Sequence, residues 1–103
     1  MVAGGAGATS TKVSIPKGAV NPNGAPGYAP DNLTVVIGVN NTVMWTNDDP
    51  AHHTVTASDH SFDSGDMVQG ATYSYTFTKA GTYAYICNYH NWMKGTITVI
   101  QAK

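Results

Sequence analysis

The stretch Tyr73-Ser74-Tyr75-Thr76-Phe77-Thr78 alternates aromatic against hydroxyl residues without a break. A period of two suits a strand buried on one face and does not suit a helix, whose apolar positions recur every three or four residues. Working outward, Lys79-Ala80-Gly81 reads as a turn, and Thr82 to Cys87 as the next strand, with Tyr83, Tyr85 and Cys87 on one face. Gly95 to Ile100 follows as another. On the N-terminal side, Lys12-Val13-Ser14-Ile15 is a short edge strand stopped by Pro16. Leu33, Val35 and Ile37 share a face of a strand that closes at Gly38, and Val43 and Trp45 share a face of one ending at Asn47-Asp48-Asp49-Pro50. His53-Thr54-Val55-Thr56 is a further short strand. About seven or eight short strands with turn signals between them give an all-β chain, an antiparallel sandwich or barrel.

Composition supports this and narrows the function. Leu occurs once, at Leu33, and Glu and Arg are absent, while Thr, Val, Ile and Tyr fit a pleated, half-buried surface. At 103 residues there is room for one domain. The net charge is −1, with five cations that are all Lys and six acids that are all Asp. So few cations leave no footprint for nucleic acid, and the missing Arg removes the guanidinium clamps of phosphoryl transfer. A single cysteine, Cys87, excludes an internal disulfide, so the core, a metal or both must hold so small a fold. No run of 18 apolar residues spans a membrane. Residues 1–10 are small and uncharged and read as a flexible linker, with the single domain covering 11–103. They do not read as a signal peptide, and a signal or anchor is expected upstream of them. Residues 16–32 hold four of the five prolines and form a long turn-rich connection expected to pack across a sheet edge.

The chemistry concentrates in Tyr85-Ile86-Cys87-Asn88-Tyr89-His90-Asn91-Trp92-Met93-Lys94-Gly95. Cys87 ends a strand with its side chain on the face of Tyr83 and Tyr85. Three residues on stands an imidazole, His90, and three beyond that a thioether, Met93. A thiolate, an imidazole and a thioether in one tight loop form a soft donor set, which selects copper over magnesium or calcium. A second imidazole would come from His52-His53, just after the Asp-Asp-Pro turn. Taken singly, a Cys or Met is usually core filler and a surface His is usually only solvated. The spacing Cys-x2-His-x2-Met at a strand end, with another His opening an earlier strand, sets this group apart.

With these residues in view, the chain resembles the small blue-copper proteins, the cupredoxins of the plastocyanin and amicyanin kind. The resemblance runs from Asp31 to Ile100. It rests on Val43-x-Trp45-x-Asn47, Ala51-His52-His53-Thr54-Val55-Thr56, Phe62-Asp63-Ser64-Gly65, Tyr75-x-Phe77, Gly81-Thr82-Tyr83-x-Tyr85-x-Cys87 and the ligand loop. It implies a Greek-key β-sandwich holding one type 1 copper per chain. It also implies the ligands: His53, which stands directly before Thr54-Val55, then Cys87, His90 and Met93. His52 should then point away from the metal, since strand neighbours face opposite sides. The short spacing is similar to the amicyanin loop, although Tyr89 precedes His90 and Asn91 follows it where amicyanin-like loops commonly carry proline. Without prolines the loop keeps N–H groups that could reach the Cys87 sulfur.

The function implied is one-electron transfer by a monomer in the periplasm or an equivalent extracytoplasmic space. Its redox protein partners would dock transiently near His90, on a weakly charged patch of Tyr89, Asn91 and Trp92. A second reading makes the protein a redox enzyme acting at an open copper, for example oxidising nitric oxide to nitrite. Too few histidines exclude a multinuclear oxidase, and the single Cys excludes a binuclear centre. A Cys87–His90 hydrolase lacks an identifiable oxyanion site, and Met is a poor ligand for structural zinc.

Overall fold

The computed structural model describes residues 10–21, 27–90 and 92–102. The linker expected at the start falls outside these residues except for Ser10, which opens the first strand. Among the described residues seven strands form: β1 Ser10–Ile15, β2 Asn32–Val36, β3 Thr42–Asn47, β4 Thr56–Ala57, β5 Thr72–Thr76, β6 Gly81–Ile86 and β7 Lys94–Ile100. They make two sheets, ordered β1-β3-β5 and β2-β7-β6-β4. The all-β sandwich expected from the sequence is what forms.

Antiparallel pairing holds for β3–β5, β4–β6 and β6–β7, whereas β1–β3 and β2–β7 run parallel. Neither parallel pair consists of chain neighbours. In β1–β3 the chain leaves its sheet for β2 and returns, and a crossover of that kind brings a strand back in the same direction.

The core lies between the sheets. Val13, Ile15, Val35, Val43, Trp45, Tyr85, Ile97 and Val99 are buried through alternation in their strands, and Phe77 joins them from just past β5. Trp45 stands opposite Tyr73 in register, its ring 5.7 Å away, and stacks on Phe62 at 5.8 Å. Tyr85 faces Gly95 across the β6–β7 pair, and a Cβ on Gly95 would overlap the tyrosine ring.

Three local readings change in detail. β2 stops at Val36, and the chain turns through Gly38 at φ +83°, a conformation that suits glycine. β5 ends at Thr76, and Phe77 just past it extends the same register by one bond, its N–H donating to the Asn41 carbonyl. Of the segment expected as a strand over His53–Thr56, only Thr56 joins a strand, with Ala57. Residues 53–57 are all buried, because loop 62–67 takes the partner's place through His53–Met67, Val55–Ser64 and Ala57–Phe62 backbone bonds. The connection after β1 does pack along the sheet edge, where Ser14 and Ala29 exchange backbone bonds.

Candidate metal centre

Two short turns build the C-terminal half of the site. The His90 N–H donates to the Cys87 carbonyl at 3.3 Å, and the Met93 N–H to the His90 carbonyl at 2.9 Å. Each is an i to i+3 closure, so the two-residue spacers correspond to one β-turn after another. The Cys87 N–H donates to the Met93 carbonyl at 3.3 Å and brings the loop back on itself. Met93 is buried, and Gly27 lies so close that a Cβ there would overlap its side chain.

The other half is built on buried Asn47. Its side-chain N–H groups donate to the carbonyls of Ala51 and Met67, both at 2.9 Å, and its Oδ1 accepts the Asp49 N–H at 2.9 Å. This shapes the turn that delivers His53. His53 Nε2 donates to Asp49 Oδ2 at 2.9 Å, leaving Nδ1 to face Cys87. Asp49 also accepts N–H bonds from Gly18 at 2.8 Å and Ala51 at 3.1 Å. Burial alone would raise the Asp49 pKa, but the bonds from His53, Gly18 and Ala51 outweigh it and hold the carboxyl below its usual range.

The halves meet at the thiol. Cys87 Sγ lies 3.7 Å from His53 Nδ1 and 3.5 Å from His90 Nδ1. The three donor atoms all fall within 4.8 Å of one another. These are the separations that nitrogen and sulfur donors show when each stands about 2.0–2.3 Å from one small ion between them. The Thr54 N–H donates to the same sulfur at 3.4 Å, and the Thr54 hydroxyl accepts the Asn88 N–H at 2.9 Å. Donation to sulfur therefore comes from beside His53, while the His90 amide is used on the Cys87 carbonyl. Burial lowers the His90 pKa, and neighbouring His53 lowers it further, which favours the neutral imidazole a metal requires. Burial raises the Tyr28 pKa, with the charge of Cys87 adding to it.

His53, Cys87 and His90 thus converge, with Met93 buried at the end of the same loop. His52 points outward, more than half exposed, toward Asp66. Asn91 falls outside the described residues. Sequence reasoning missed Asp49 and the Thr54 amide. Asp49 stands four residues before His53 in a turn, but Asp48 beside it has the same character and lies exposed, bonded to Ser14.

Comparison with known proteins agrees with this geometry. The family model described as Cupredoxin-like domain matches residues 6–99. The chain belongs to the cupredoxin-like family. Plastocyanin from Scenedesmus fuscus is 33% identical over 90 residues, covering 75% of this chain and 90% of that protein. A purple cupredoxin from Nitrosopumilus maritimus is 34% identical with a TM-score of 0.79, covering 86% of this chain and 98% of its own. A reduced amicyanin variant is 29% identical with a TM-score of 0.70, covering 87% and 81%. As a cupredoxin the protein is an electron-transfer carrier, and the cluster of His53, Cys87, His90 and Met93 is compatible with a type 1 copper site.

Proposed function

We propose that this cupredoxin carries single electrons on a copper that His53 Nδ1, His90 Nδ1 and the Cys87 thiolate would hold, with Met93 as a fourth, weaker donor. The convergence of both imidazoles on the buried Cys87 sulfur carries the reading. A copper held there would supply the one-electron couple between its cuprous and cupric states. The chain's part is to hold donors whose arrangement suits both states, so that little must move when the electron does. Asp49 fixes the His53 tautomer and the Thr54 N–H steadies the thiolate. Cys87 itself is fully buried, which keeps water from the sulfur.

The docking surface in this reading is the loop around His90. Tyr89 and Trp92 are 51% and 45% exposed and flank the partly exposed imidazole, with ring centroids 6.4 and 5.3 Å from it. A small, weakly charged patch suits the brief encounters of redox proteins. Among the described residues no helix is long and apolar enough to cross a membrane. Plastocyanin- and amicyanin-like relatives work outside the cytoplasm, and we place this protein there too, acting as a monomer.

The visible and EPR spectra of the Cu(II)-loaded protein test the proposal. Intense thiolate charge-transfer colour is expected, Cys87→Ser should abolish it, and His53→Ala should weaken copper binding far more than His52→Ala. Persistence of the band in Cys87→Ser, or equal losses in the two histidine variants, would overturn the ligand assignment. Anaerobic nitric oxide should leave the spectra of a pure carrier unchanged.

A further inference from the structure

Beyond the four ligands, one carboxylate reaches both halves of the site. Asp66 precedes Met67, whose backbone pairs with His53. Its Oδ1 accepts the Tyr89 hydroxyl at 2.8 Å, and both its oxygens stand 3.0 Å from His52 Nδ1. Tyr89 is the residue before His90, and His52 is the residue before His53. We propose that Asp66 is a positioning residue that latches the segment carrying His53 to the loop carrying His90, fixing the spacing of the two imidazoles before a metal arrives. The inference rests on the copper site proposed above.

Three observations carry it. The 87–93 loop contains no proline to stiffen it, and two of its internal backbone bonds are long, at 3.3 Å. An anchor from outside the loop therefore has something to add. The Tyr89 ring meets the His90 ring edge-on, so holding the Tyr89 hydroxyl also holds a wall of the imidazole. Finally, the carboxylate serves two partners on two segments. An isolated exposed ion pair contributes little, because its side chains must be ordered for one contact. Here one ordered carboxylate closes a ring that runs from His52 to His53, across the sulfur to His90, and back through Tyr89.

The test uses the full chain with Cu(II) alone as the probe, and the metal-free protein beside it. Asp66→Ala should speed copper loss to excess chelator about two- to tenfold. It should also alter the Cu(II) EPR hyperfine pattern and quicken exchange of the His90 amide in the metal-free protein. Tyr89→Phe and His52→Ala should each give part of the effect. Their double variant should not exceed Asp66→Ala, because all three act through one carboxylate. A lowered thermal midpoint with release, EPR pattern and His90 exchange unchanged would make Asp66 a merely structural contact and overturn the latch, as would no change at all. If wild-type protein takes up copper without thiolate colour, the copper-site reading fails instead, while metal-free exchange still decides the latch.

Discussion

The Nε2–H of His53 is committed to Asp49, and that bond selects the nitrogen presented to Cys87. Asp49→Ala would leave the His53 N–H and the Gly18 amide without their acceptor in a buried place. A cost of about 2–3 kcal/mol in the metal-free protein is expected, read by urea unfolding. Copper affinity should fall about 10–100-fold in a chelator competition, the usual effect of losing such a partner. Asp66 gives the pH dependence. The Tyr89 hydroxyl first, and His52 second, hold its carboxyl below the usual range. A depressed carboxylate contributes stability above its unfolded value of about 3.9, lost as pH falls through the folded one. NMR titration of the carboxyl carbon in the metal-free protein should show the low value, and Tyr89→Phe should raise it. Residue chemistry was largely legible in the chain. Cys87, His90 and Met93 are close in sequence and turn-spaced, and the resemblance, through Thr54-Val55 directly after it, picked His53 over His52. Asp49 was not legible, since nothing local distinguishes a buried aspartate from its exposed neighbour Asp48.

Among the elements, two glycines show how closely the strands and loops are fitted. Gly95 in β7 lies under the ring of Tyr85 in β6, and Gly27 in the proline-rich connection lies against Met93. Adding one methyl should have different outcomes. Gly95→Ala presses on a rigid ring in the core and should destabilise the fold by about 1–3 kcal/mol, measured by chemical unfolding. Gly27→Ala presses on a flexible thioether chain, which can yield. It should cost less stability but change the visible spectrum of the copper-loaded protein, because the displaced side chain is the one proposed as the fourth donor. Equal unfolding costs with identical spectra would mean that Met93 does not face the metal. The strands themselves were legible where one face is buried, as in β3, β5 and β6. The His53 segment was misread as a strand because burial on both sides leaves no alternation, and its partner, loop 62–67, has no strand pattern of its own.

For the whole molecule, the sandwich was legible but the order of its strands was not. Turn signals identify neighbours along the chain, whereas β1–β3 and β2–β7 join strands far apart in it. Strand β7 lies between β2 and β6 and is the partner of both. It also follows Met93 directly, so all four donors precede it in the chain. A polypeptide leaving the ribosome therefore exposes a complete set of copper-binding side chains before it can complete the sheet that arranges them. A chain ending at Met93 should remain without dispersed NMR signals and without thiolate colour in Cu(II), despite holding every ligand. Dispersed signals and full colour in that fragment would show that the site forms without β7. During synthesis, then, the thiol and imidazoles pass through an interval as loose chelators open to any soft ion, and only β7, translated after them, gives them a single geometry.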